Sequence, residues 1–426
     1  MRQNHYHADM ISVEEAREKI LEHFVTLDSK FVSILDSLGL VVSESVKSPL
    51  NIPPFNNSAM DGYAVISEDT KLASSDHVVN LKILETIKAG SVPSEKVIKG
   101  TASRIMTGAP IPEGADSIVP FEDTTELDWN INSDKSFVGI KYPGNVGANF
   151  RESGKDLSIG DVVVEKFSIL TPSLIGLLAS VGLEQVKVIR PPVVSILSTG
   201  DELVEPGLSI EPGQIFDSNT YSIYSSVLQL GAIPKIIGIA RDNRQSVIDM
   251  IEKSLDSDFV ISSAGVSKGD YDVVKDVMGE MGNLNFWSVN MRPAKPLAFG
   301  KLKTHKSFVP IIGLPGNPVS SLVAFEQFCR PAIRKMMGKT INDRKIIRAK
   351  LVDSIENYDS RRVYARVIVE SKNGVNVATT TGDQGSNILT SMAKANGLAI
   401  CPENIERVLP GEEVDVILLD DSVDLS

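Results

Sequence analysis

The stretch FVPIIGLPGNPVSS, residues 308–321, decides the fold. Its first five residues form an apolar run without polar alternation, which predicts a strand covered on both faces. GLPGNP (313–318) interrupts the run, and the apolar periodicity that follows predicts a long helix over 319–337. Gly313 and Gly316 permit close backbone approach on either side of Pro315. Asn317 can cap the helix, and Pro318 suits its first turn. Free amides at such a start favour an anion. The loop therefore reads either as a phosphate-binding turn or as an ordinary tight strand–helix connection.

Working outward, the same alternation recurs. An apolar run at 193–197 leads into STGDEL (198–203), then a helix over 219–230. A strand at 235–240 ends in Arg241-Asp242, with a helix over 244–254. A strand at 258–263 ends in AGVSKGDYD, with a helix from 273. Alternating buried strands and helices predict a parallel, doubly wound α/β sheet. Ligands of such sheets bind outside the carboxyl ends of the strands. There Asp201, Glu202, Asp242, Asp270 and Asp272 gather carboxylates where Mg²⁺ could sit against a phosphate. Any one alone reads first as a solvated turn residue or a helix cap, and their convergence on a phosphate loop reverses that preference. MRPAKPLAFG (291–300) presents Arg292 and Lys295 on a proline-fixed loop, as an oxyanion clamp or as two surface charges.

The flanks read differently. Ser12 and Glu15 form a capping box for a helix to about residue 26, and 30–38 is a second amphipathic stretch. Residues 49–57 form a Pro/Asn-rich linker, and PPFNNSAMDGYAV (53–65) carries Ser58, Asp61 and Tyr63 on a polar turn. Residues 60–150 read as short strands, 162–165 as a strand and 172–180 as a helix. After 339 the chain turns β again, with Val363, Ala365, Val367 and Val369 on one face of a small barrel or sandwich.

The bulk composition narrows the class. The chain has 426 residues, enough for two to four domains, and a net charge of −12. That charge disfavours nucleic acid or an anionic membrane as the main partner. Two cysteines, Cys329 and Cys401, make no disulfide framework and suit a reducing cytoplasm. The five histidines are scattered, and HExxH, GxSxG and GxxxxGK[ST] motifs are absent. The stretch MRQNHYHADMIS lacks an apolar h-region, so a signal peptide is not expected, and no run approaches membrane length.

PPFNNSAMDGYAV, MTGAPIPEGADSIVPFEDT, GKDLSIGD, STGDELVEPG, AGVSKGDYD, RPAKPLAFG and GLPGNPVSS occur in one order along the chain. Together they resemble the molybdopterin molybdenumtransferase family, the MoeA type that is similar to the E domain of gephyrin. The resemblance implies a cytoplasmic homodimer of four-domain subunits. It divides the chain into an extended linker and dimerisation domain (1–57 and 150–189), a small β domain (58–149), a molybdopterin-binding α/β domain (190–338) and a C-terminal β-barrel domain (339–426). The implied reaction inserts molybdate into adenylylated molybdopterin with Mg²⁺-dependent release of AMP. The adenylyltransferase and the acceptor molybdoenzymes are the implied contacts.

Carried over by motif, the resemblance puts catalytic groups at Asp61, Thr107, Glu202, Asp242 and Asp270. The last three would hold Mg²⁺, and Asp61 and Thr107 would complete the site from the partner subunit. Substrate contacts fall at Ser198, Thr199, Gly200, Gly265, Ser267, Gly313, Pro315, Gly316, Asn317 and Asp156. Molybdate contacts fall at Arg292, Lys295, Arg366 and Ser386. The chain departs from the family pattern at Ala264 and Ala294, where glycine is usual, at Ser288 and Arg292, where lysine is common, and with an extra Lys268. Two other readings use the same features: a molybdopterin adenylyltransferase, and a gephyrin-like scaffold.

Overall fold

The computed structural model describes residues 10–130, 133–264, 273–304, 308–340 and 344–419. The chain divides into two units. One comprises Met1–Val32, Gly39–Ser43 and Lys187–Ser426; the other comprises Ser33–Leu38 and Glu44–Val186.

The first unit is built on a seven-stranded sheet. Its order is Met10–Ile11, Gly282–Val289, Pro296–Lys303, Phe308–Leu314, Phe259–Ser263, Val193–Thr199, Ile233–Ala240. The last four strands run parallel. Residues adjacent in sequence go to opposite faces, and both faces are covered. Ile196, Ile261 and Ile312 pack under Ser218–Gln229 and the helices after 318. Leu197, Val260 and Ile311 pack under Arg244–Ser254 and Val273–Met281. Each such aliphatic side chain contributes roughly 1.5–3 kcal/mol on burial, so a strand with no polar alternation is stable only in the middle of these layers.

The doubly wound domain is present, with a mixed sheet. Gly282–Val289 pairs antiparallel with Pro296–Lys303, which pairs antiparallel with Phe308–Leu314. MRPAKPLAFG is thus only partly a loop, because the chain enters a central strand at Pro296. The helix after Pro318 is interrupted by a π-helical turn, Phe325–Cys329, before Arg330–Met336. Within that turn the Gln327 carbonyl accepts Arg17 Nε at 3.1 Å, and its Oε1 accepts Arg17 Nη2 at 2.6 Å.

The first helix, Val13–Leu21, starts as expected, with Ser12 Oγ accepting the Glu15 amide at 3.0 Å. It stops five residues before the expected 26: the His23 and Phe24 amides bond three residues back, to Ile20 and Leu21, and the Leu27 amide turns to the Met336 carbonyl. The last part of this unit is a barrel. Arg362–Lys372, Val375–Thr380, Ile346–Leu351, Glu413–Leu418 and Gly397–Cys401 pair in turn, and the last pairs back with the first. Val363, Ala365, Val367 and Val369 share its core, as their spacing predicts.

The second unit contains a five-stranded sheet in the order Ser117–Pro120, Gly62–Val65, Thr101–Ile105, Val79–Ile87, Phe137–Ile140. The helix Pro172–Ser180 is capped by Thr171. The stretch 30–38 is not a helix. Ser29–Ser33 is extended, and only Ile34–Asp36 coils, as one 3-10 turn. Its apolar residues have no core to serve: Phe31, Leu35 and Leu38 are all more than half exposed. The Ile34 amide is taken by the Glu184 carbonyl instead of an i→i−4 partner. Among the described residues no helix is long and apolar enough to cross a membrane.

Candidate active site

The sheet fixes where the strand-end loops lie. Thr199 is level with Ala240, and Ser263 with Leu314, so STGDEL, Arg241-Asp242, the start of AGVSKGDYD and GLPGNP share one edge. Glu202 folds its carboxylate over Gly200, whose φ is +145°. A Cβ on Gly200 would lie 2.4–2.8 Å from that carboxylate, the free end of an exposed side chain that can swing aside, so it is the left-handed φ that favours glycine here. Asp201 and Asp242 bind each other's backbone: Asp242 Oδ2 accepts the Asp201 amide at 3.3 Å, and Asp201 Oδ1 accepts the Asp242 amide at 3.1 Å. Gly265, Ser267, Lys268, Asp270 and Asp272 lie outside the described residues. Among the described residues no three His, Cys, Asp or Glu side chains gather as a metal cluster.

Several substrate-loop expectations change in the folded chain. Ser198 is wholly buried, its Oγ 2.7 Å from Thr220 Oγ1, and Thr199 is buried beside it. Gly313 is a buried strand residue, and Pro315 is buried as well, whereas Gly316 and Asn317 are exposed. The Asn317 side chain makes no cap; its carbonyl accepts the Ser321 amide. The Val319 amide, expected to be available to an anion, is occupied by the Ser386 carbonyl at 3.1 Å.

Sequence reasoning missed Asn219, which braces this edge. Its Nδ2 donates to Ser263 Oγ and to the Gly316 carbonyl, both at 2.8 Å, and so ties two strand ends together. The signal was the helix start at Asp217-Ser218-Asn219, where Asp217 caps the Thr220 amide at 3.0 Å.

The four oxyanion candidates meet in one place. Met291 and Arg292 pair with Arg362 and Val363, fastening the barrel to the segment that carries Arg292 and Lys295. A cleft of about 680 Å³ opens there, lined by Arg292, Lys295, Arg366 and Ser386, with Ser320, Tyr358, Asp359 and Arg361. Arg366 is 1% exposed. Its Nε reaches Ser391 Oγ at 3.1 Å, and its Nη2 reaches the Gly385 carbonyl at 3.1 Å. Burial depresses its pKa to about 10. Arg292 lies over the Tyr358 ring, 4.4 Å from its centroid, and donates to the Glu356 carbonyl. Tyr358, Asp359 and Arg361 were not expected in the site, because a charged turn such as NYDSRR has no distinguishing periodicity.

Ala264 and Ala294, at the two departures from glycine, have φ of +73° and +74°. A non-glycine residue there carries roughly 1–2 kcal/mol of strain, while glycine costs about 0.5–1 kcal/mol in unfolded-chain entropy. Ala294→Gly is therefore expected to stabilise the protein by roughly 0.5–1 kcal/mol, read as a higher urea midpoint at unchanged slope.

In the second unit Asp61 and Thr107, 46 residues apart, are in direct contact. Asp61 Oδ1 accepts the Thr107 amide at 2.6 Å and its hydroxyl at 2.8 Å. These two bonds hold the exposed Asp61 carboxyl below its ordinary pKa. Tyr63, buried behind them, donates to Glu126, which also takes Arg104 at 2.6 Å. Burial, then the Glu126 carboxylate, pushes the Tyr63 phenol well up. Asp156 has an exposed side chain and makes no hydrogen bond to Asp61 or Thr107; its amide donates to the Ile52 carbonyl.

Comparison with known proteins finds similarity along nearly the whole chain. Residues 11–182 match the MoeA N-terminal region (domain I and II), 195–335 a probable molybdopterin binding domain, and 348–419 the MoeA C-terminal region (domain IV). A Mycobacterium tuberculosis protein named molybdopterin molybdenumtransferase 2 is 36% identical, with 96% of this chain and 99% of that one covered. A Haemophilus influenzae molybdopterin molybdenumtransferase is 34% identical, with 96% and 98% covered. The crystal structure of a Pyrococcus horikosii molybdopterin biosynthesis MoeA protein superposes with a TM-score of 0.82 at 32% identity, covering 96% of this chain and 99% of that one. The chain belongs to the MoeA family of molybdopterin molybdenumtransferases.

Proposed function

We propose that this protein is a transferase of molybdenum cofactor biosynthesis, inserting molybdenum from molybdate into molybdopterin, with the adenylylated pterin as the form consumed. The observation that supports this most is the single cleft lined by Arg292, Lys295, Arg366 and Ser386. Three cations and a hydroxyl suit a tetrahedral dianion: they neutralise its charge and donate to its oxygens. As the two dithiolene thiols bind molybdenum they give up their protons, which leave with one molybdate oxygen as one water. Donors fixed before the reaction stabilise that shift of charge at little reorganisation cost.

The sheet edge serves the other end of the substrate. Glu202 and Asp242 would hold Mg²⁺, an ion that takes one or two carboxylates together with substrate phosphate oxygens and water. Asp270 is assigned to the same set. When bound, Mg²⁺ neutralises the phosphoanhydride whose hydrolysis releases AMP. Asn219 keeps Ser263 and Gly316 in register, so the pterin-phosphate loops act as one surface. Asp61 and Thr107 are assigned to the reaction from the partner subunit of a homodimer, and Asp156 to substrate binding.

Purified protein given adenylylated molybdopterin, Mg²⁺ and molybdate is expected to release AMP in proportion to molybdate. The product is expected to activate a cofactor-free molybdoenzyme. Release of AMP without molybdate dependence would overturn the reading. AMP loading from ATP would favour the adenylyltransferase reading instead.

A further inference from the structure

Asp359 stands in the cleft as a carboxylate among cations. Its Oδ2 accepts Arg361, with Nε at 2.8 Å. Its Oδ1 is buried without a hydrogen bond and lies 3.7 Å from Arg292 Nη1. That distance is too long for a hydrogen bond, yet short enough for a strong charge interaction. Neither arginine depends on Asp359 alone for its position. Arg292 is stacked on Tyr358 and bonded to the Glu356 carbonyl, and Arg361 Nη1 donates to the Met291 carbonyl at 3.2 Å. Burial pushes the Asp359 carboxyl up, but the hydrogen bond and charge of Arg361 and the charge of Arg292 outweigh it, so it stays ionised at neutral pH.

We propose that Asp359 is a resident counter-anion of the oxyanion cleft, which an incoming tetrahedral anion displaces from Arg292, and that it sets the cleft's affinity and charge selectivity. The proposal rests on the reading that molybdate binds there. Asp359 neutralises the cations while the cleft is empty. It then repels the arriving anion, so capture is weaker and release easier than the arginines alone would give. It is a positioning residue, acting through the field at Arg292 and not by touching the reacting atoms.

The repulsion grows with the charge of the ligand, and this separates an electrostatic role from a structural one. Molybdate is a dianion; perrhenate is a tetrahedral monoanion of similar size. Removing a fixed negative charge should change the affinity for a dianion by about the square of its effect on a monoanion. Asp359→Asn keeps the size of the side chain and an acceptor for Arg361. Titration calorimetry of the full-length variant is expected to show molybdate bound about tenfold tighter and perrhenate about threefold tighter. Asp359→Ser should give the same ratio, with less packing against Arg361. Equal changes for the two anions, or weaker molybdate binding in both variants, would overturn the proposal while leaving the oxyanion cleft intact. If the unmodified protein binds neither anion, the cleft is not an oxyanion site, and the functional reading falls with the proposal.

Discussion

Replacing Arg366 with alanine is expected to lower molybdate-dependent turnover by about 100- to 1,000-fold, the loss seen when one preorganised donor to a developing charge is removed. Arg366 is a fully buried cation in the cleft, and its guanidinium is held by a hydroxyl and two carbonyls. Among the described residues no carboxylate forms a salt bridge with it. Burial holds its pKa near 10 instead of the ordinary arginine value. A depression of that size corresponds to a penalty of about 3 kcal/mol on the ionised form. Because the folded value lies below the unfolded one, this penalty is fully present below pH 10. Stability gains from its relief only as pH rises from there toward the ordinary arginine range. An oxyanion bound there, as proposed, would offset the penalty at neutral pH by adding counter-charge to that of Asp383.

The fold should survive that substitution, since Val363, Ala365, Val367 and Val369 on the core face of the same strand are untouched. Arg366→Lys keeps the charge but loses the planar fork, so it should recover only part of the activity. Measuring kcat/KM separately for molybdate and for the pterin substrate decides the matter. An Arg366→Ala protein with activity within threefold of the original would remove Arg366 from the site.

What could be read from the sequence follows from where the information sits. The runs at Val193–Thr199, Phe259–Ser263 and Phe308–Leu314 were legible because strands covered on both faces need apolar side chains at successive positions. Pro296–Lys303 was not, because an antiparallel hairpin depends on pairing with Gly282–Val289, and its leading proline looks like a loop residue. Residues 30–38 misled because helical spacing of apolar residues predicts a helix only where a core receives that face. Arg292, Lys295, Arg366 and Ser386, named from motifs, line one cleft. Asn219, Asp359 and Arg361 were not legible in the sequence, since each is defined by partners supplied by tertiary structure. Asn219 reaches Gly316 across 97 residues, and Asp359 gains its meaning only once Arg292 is folded against it.

Gly62→Ala is expected to have the largest effect on stability, about 3 kcal/mol or more of overpacking. The motif SAMDGYAV looks functional throughout, yet its glycine has a structural reason. Gly62 begins the strand Gly62–Val65, paired on both sides with Thr101–Ile105 and Ser117–Pro120. A Cβ there would lie 2.1 Å from the Val119 carbonyl oxygen and 2.9 Å from its carbon. Both are backbone atoms within a ladder, so no rotamer change can relieve the clash and the strands must part. The strain would spread to Tyr63, whose hydroxyl is bonded to Glu126, and to the adjacent Asp61–Thr107 contact. Urea unfolding should show a lower midpoint, and limited proteolysis should cut first within residues 60–120. Asp61→Asn supplies the contrast: one residue earlier, exposed and outside the ladder, it weakens only the two bonds from Thr107 and should lower the midpoint far less, while reducing turnover. If Gly62→Ala unfolds at the same urea concentration as the original protein, the close approach of these two strands is not what the glycine is for.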